Sequence, residues 1–185
     1  MRTPYLMSLV DVAAERYELP RRMVQALIGK ESAWNPWAWN PEPRYRYYWD
    51  VRNGSPFRAV TEAELMSERP PADFGSLAAD PDQEWWGQAA SWGLMQIMGA
   101  VARERGSRLP YLTELLDPAI NVDYGCRHLA DSLAWARRYA HTPEEAVAAS
   151  LAAYNGGRGG NKPGGPLRND AYARDVLRRM DSLTL

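Results

Sequence analysis

Apolar residues recur at intervals of three and four along both ends of this chain of 185 residues, and that rhythm fails from Asn35 to about Ala90. The spacing predicts amphipathic helices on either side of a long irregular segment. Thr3 and Pro4 start a first helix, with Leu6, Leu9, Val10, Ala13, Ala14 and Tyr17 as its stripe. After Leu19 and Pro20, a second helix runs to Glu31. In the irregular segment lie six of the fourteen prolines, between Pro36 and Pro71; its one helical candidate is TEAELM, where Thr61 and Glu64 suit a capping box. Order returns at Ser91. Residues 94 to 105 read as a helix stopped by Gly106, Asp117 and Pro118 begin another, and Thr142, Pro143 and Glu145 begin a third in capping-box spacing that ends at Asn155, Gly156 and Gly157. A last helix covers about Asp170 to Met180, after the glycine-rich GGRGGNKPGG. No period-two strand and no repeat is legible, so the fold class is mainly α, with room for short strands in the irregular segment.

The second helix carries a conflict. Pro20, Met23, Val24, Leu27 and Ile28 form its apolar stripe, and Glu31 is the next position on it. A carboxylate facing a low-dielectric interior must find a partner or keep its proton, which is the state a general acid needs near neutral pH. The other reading is a frayed last turn with Glu31 in water. Lys30 does not decide between them, because neighbours at i and i+1 do not face each other on a helix.

A net charge of −1 removes the electrostatic basis for gripping nucleic acid or anionic lipid. Cys126 is the only cysteine, which excludes an intrachain disulfide and a cysteine-rich zinc site, and His128 and His141 lack metal-ligand spacing; no metal or cofactor is expected. No stretch reaches the roughly 20 apolar residues of a membrane span. Asp11 and Glu15 interrupt the place where a secretory signal needs its apolar core, so no secretory signal is legible in residues 1–20. Eight Trp and ten Tyr stand against two Phe. Seven of these rings, Trp34, Trp37, Trp39, Tyr45, Tyr47, Tyr48 and Trp49, fall in a stretch of sixteen residues shortly after Glu31, either as loop anchors or as a ligand surface.

Three segments in order, ESAWNP at 31–36, SWGLMQIM at 91–98 and AAYNGG at 152–157, resemble the soluble lytic transglycosylase catalytic domain, the goose-type lysozyme-like fold of glycoside hydrolase family 23. LLDPAINVDYGCRHLADSL and NDAYARDVL resemble the family's later helices. The resemblance implies a single helical domain over 1–185 with an embedded insertion at about 41–90, where the family has a much shorter connection. It implies that peptidoglycan glycan strands are the partner and that the protein acts in the periplasm or cell wall; with no signal legible, a phage virion enzyme, a machine-delivered component or a mature, truncated form is expected, and the oligomeric state is open with a monomer favoured. Glu31 is then the lone acid and base of cleavage between N-acetylmuramic acid and N-acetylglucosamine, leaving 1,6-anhydromuramyl ends. Gln96 and Met98 match sugar-contacting positions, Ser91 lines the site, and Tyr154 matches the tyrosine that orients the carboxylate or the substrate acetamido group. Asn155 serves the helix end with a polar contact to ligand, and Asn40 stands at the family's polar position after the ES motif. The insertion is expected to form an aromatic wall or lid. Its acids, Asp50, Glu62, Glu64, Glu68, Asp73, Asp80, Asp82 and Glu84, open the alternative of lysozyme-type hydrolysis, in which one of them positions water. A glycan-binding module without turnover is a further alternative, against which the intact Glu31, Gln96 and Tyr154 argue.

Overall fold

The computed structural model describes residues 2–77 and 80–183. In chain order it contains α1 (Pro4–Arg16), α2 (Arg21–Glu31), β1 (Trp39–Pro41), β2 (Trp49–Asp50), β3 (Ser55–Pro56), α3 (Glu62–Leu65), α4 (Pro81–Gln88), β4 (Ala90–Trp92), β5 (Ile97–Met98), α5 (Gly99–Glu104), a 3-10 turn (Leu112–Leu116), α6 (Pro118–Arg137), α7 (Pro143–Gly156) and α8 (Asp170–Ser182). The chain forms two compact units, one of residues 1–34 with 125–185 and one of residues 35–124, and the division falls within α6. No helix of the described residues is long and apolar enough to cross a membrane.

The first unit is helical. Thr3 caps α1 by accepting from the Leu6 backbone N–H at 3.2 Å. Met23, Val24, Leu27 and Ile28 are fully buried on α2, while Pro20 stays at the surface and Leu19 goes inside. Helix α8 packs on α2 and α7 through Ala173 and Val176, and the small residues of α7 allow the close approach. Thr142 caps α7 by accepting from the Glu145 backbone N–H, and the Glu145 carboxylate accepts from the backbone N–H groups of His141 and Gly164. The left-handed residue that ends α7 is Gly157, at φ 73°, and Asn155 stays helical.

The second unit holds the short strands, and β1, β2 and β3 fall in the irregular segment that had room for them. Strands β1, β4 and β5 form an antiparallel sheet in that order, and β2 pairs with β3. The Thr61–Glu64 capping box forms as expected at α3. Helix α4, capped by Asp80, was not expected; Pro81 at its first position and Asp82 and Glu84 in its first turn were the available signals. It carries Trp85 into a cluster where Tyr48 stacks on the indole at 3.8 Å and Phe74 meets both rings edge-on.

The expected helix over 94–105 begins only at Gly99. Ahead of it, Asn121 captures the backbone: Met95 N donates to its Oδ1 at 2.8 Å, and its Nδ2 donates to Trp92 O at 2.7 Å and Leu115 O at 2.9 Å. Gly93 takes φ 65° against that amide, and a Cβ there would also sit 2.9 Å from Leu115 O. Side-chain capture of three backbone groups outweighs the helical propensity of LMQIM.

Candidate active site

In the first unit, Glu31 ends α2 half-buried. Its Oε1 accepts a hydrogen bond from the Tyr172 hydroxyl, which comes from the stripe of α8 beside Ala173 and Val176. Burial raises the Glu31 carboxyl above its ordinary range; the Tyr172 hydrogen bond and then the Lys30 charge oppose this without reversing it. Among the described residues no second carboxylate adds to that shift. Lys30 itself turns to Asp175 on α8, 2.9 Å away, and lies 5.9 Å from the centre of the Tyr172 ring. Asp175 also takes Arg178 at 3.2 Å and Arg179 at 3.4 Å.

Tyr154, on α7, is held neutral by burial and then by the nearby Glu31 charge. Its ring packs on His128 with centroids 5.0 Å apart. Tyr172 is the residue that sequence reasoning missed. A tyrosine on the apolar stripe of NDAYARDVL was the available signal, the same kind of conflict that marked Glu31. Asn155 accepts from Asn169 Nδ2 at 2.8 Å, tying α7 to the start of α8.

Just after Glu31 the backbone turns sharply, with Ala33 at φ 49° and Trp34 at φ 66°. Two consecutive non-glycine residues in the left-handed region store strain, and such strain gathers at functional positions. Trp34 is buried, and Arg2 lies over its ring at 5.1 Å.

The remaining predicted residues lie in the second unit, three of them in one cross-strand row. Asn40 pairs with Ser91 and Ser91 with Met98. Residues in register share a face of the sheet. In the neighbouring row, Trp39–Trp92–Ile97, Trp92 and Ile97 join an apolar cluster with Ala90, Ala102, Leu112 and Leu115. Ser91 Oγ contacts Met98 Sδ at 3.1 Å, and Asn40 Nδ2 donates to Glu42 at 2.6 Å. Gln96, at φ 46°, donates its amide to Gly93 O at 2.9 Å and Ala38 O at 3.2 Å, fastening the turn to the start of β1 and leaving its side-chain oxygen without a partner among the described residues. The aromatic run divides. Trp34 and Tyr48 are buried anchors, whereas Trp37, Trp39 and Tyr47 stay exposed at 70%, 57% and 80%.

A helix-borne, half-buried carboxyl with a raised pKa, in a mainly helical chain, has the chemistry of a general acid. The family described as Transglycosylase SLT domain matches residues 8–165, and the chain belongs to it. That family acts on peptidoglycan, and the lysozyme-like fold follows with it. No curated protein matches the chain.

Removing the Tyr172 hydroxyl tests its role. Tyr172→Phe loses a hydrogen bond to a charged group, of about 1.5 kcal/mol or more, so kcat should fall about tenfold. That bond favours the ionised carboxylate, so its loss raises the Glu31 pKa further. The alkaline limb of the pH–kcat/KM profile, where the acid loses its proton, should move to higher pH. A reduced rate with an unmoved limb would assign Tyr172 to packing alone.

Proposed function

We propose that the chain is a peptidoglycan lytic transglycosylase in which Glu31 serves alone as acid and then as base. Its proton goes to the glycosidic oxygen as the bond from the muramic anomeric carbon breaks, and the acetamido oxygen of the same sugar closes on that carbon. The 6-hydroxyl then attacks the anomeric carbon, returns a proton to Glu31 and frees the acetamido group, giving the 1,6-anhydro ring without water. Tyr172 holds the carboxylate in aim, and Tyr154 remains a neutral donor beside it. Asn40, Ser91, Gln96 and Met98 supply sugar contacts, and Asn155 a polar contact at the end of α7. Action in the cell wall or periplasm, as a monomer and one catalytic domain with an inserted segment, belongs to the same reading.

The observation that carries it is the raised pKa of Glu31 with no second carboxylate contributing. A two-carboxylate mechanism needs another acid, and the insertion's acids are largely committed elsewhere. Asp50 accepts from the backbone of Arg52 and from Asn53. Glu62 pairs with Arg46, Glu64 and Asp73 grip Arg58, Asp80 caps α4, and Glu84 holds Arg103. Digestion of purified sacculi followed by mass analysis of the muropeptides tests the product. Anhydro ends, lighter by one water, are expected; reducing ends alone would replace this reading with hydrolysis.

A further inference from the structure

A cavity of about 380 Å³ opens in the second unit, bounded on one side by Trp49 to Gly54 and on the other by the end of α5 and the loop through Arg108. We propose that it is a binding pocket for a peptide carboxylate, and, resting on the function proposed above, that the carboxylate is borne by the peptide stems of the glycan strand.

Charge accounting gives the ligand its sign. Four charged side chains line the cavity: Arg52, Arg103, Arg108 and Glu104. Arg103 is neutralised by Glu84, Arg52 lies 3.5 Å from Asp50, and Glu104 lies 3.6 Å from Arg105. Arg108 alone has no ion-pair partner among the described residues. One of its terminal nitrogens donates to Val51 O at 3.2 Å, which anchors the guanidinium across the cavity and leaves its other donors open. The Trp49 indole N–H, also on the wall, has no acceptor among the described residues. An uncompensated planar cation beside a second donor suits a carboxylate, which takes a guanidinium edge with two parallel hydrogen bonds. A neutral sugar offers no charge to match.

The walls are held more firmly than a surface loop requires. Gln88 clamps Trp49 from below, accepting from its N–H at 2.7 Å and donating to its carbonyl at 2.9 Å. Gln88 also donates to Glu84 at 2.9 Å, and Glu84 takes Arg103 through two bonds of 2.7 and 2.8 Å. Arg103 in turn donates to Ser107 O and Leu109 O, fixing the opposite wall. A fully buried polar network spanning both walls pre-organises the pocket, which reduces what binding must order.

The test compares wild type, Arg108→Ala and Arg108→Lys by calorimetric titration with the free stem tripeptide L-alanyl-γ-D-glutamyl-diaminopimelate. Cleavage kinetics are run in parallel on strands with their peptides and on strands stripped by an amidase. Wild type should bind the tripeptide and Arg108→Ala should weaken it at least tenfold, with Arg108→Lys between them. KM on peptide-bearing strands should rise about tenfold in Arg108→Ala, while kcat and KM on stripped strands stay unchanged. Absence of tripeptide binding, equal binding by Arg108→Ala, or tighter binding of polyglycerol phosphate would overturn the pocket. Failure of wild type to cleave either kind of strand would instead overturn the proposed function, and the titration would still decide the pocket.

Discussion

Glu31→Gln should reduce glycan cleavage by about three orders of magnitude or more while the protein stays folded, because the amide keeps the shape of the side chain and cannot donate the proton. Single-turnover assays on sacculi, with circular dichroism as the folding control, measure this. Near-normal cleavage would take Glu31 out of the chemistry. The same variant carries a stability signature. Burial raises the Glu31 pKa in the folded chain above its unfolded value, so the folded chain holds the proton over a window above the usual carboxylate range. Stability from this group is complete below the unfolded pKa and is lost as pH rises through the folded one. Glutamine never ionises. The variant should therefore match wild type in acid and exceed it in denaturation midpoint on the alkaline side. A wild type that shows no such decline would mean that Glu31 faces water after all.

The second large effect concerns stability alone. Glu84 and Arg103 are 4% and 2% exposed, and their two-pronged ion pair also serves Gln88. Glu84→Ala leaves the Arg103 charge buried without a partner, a loss of about 3–5 kcal/mol. For a chain of this size that corresponds to a fall of roughly 6–20 °C in Tm. Thermal unfolding followed by near-ultraviolet dichroism should report it, because the network positions Trp49 and shares Glu84 with the helix of Trp85. Replacing both partners, Glu84→Leu with Arg103→Met, should recover much of the loss, since no charge is then stranded. A single variant as stable as wild type would show that solvent reaches the pair.

Helix limits were the most legible part of the fold where local chemistry sets them. Thr3 with Pro4, Thr61 with Glu64 and Gly157 after α7 act through neighbours a few residues away, and the structure has them in place. Segment 94–98 was misread as helix because Asn121, 26 residues after Met95, supplies the competing hydrogen bonds. The places and pairing of the short strands were not legible for a related reason. At two or three residues each they are too short for an alternating pattern, and their pairing partners lie up to about fifty residues apart.

The candidate site divides along the same line. From the sequence alone came the helical class, the position of Glu31 on a buried stripe, and the motif order that marks the family, because helical period and motif spacing are written within single segments. Tertiary structure alone decided that Tyr172, 141 residues away, donates to Glu31, and that Lys30 turns to Asp175. It also decided that Asn40, Ser91 and Met98 share one row of a sheet, and which rings of the aromatic run are anchors and which stay exposed. Each of these depends on which distant backbone a side chain meets, and burial, with the pKa it shifts, exists only once those contacts have formed.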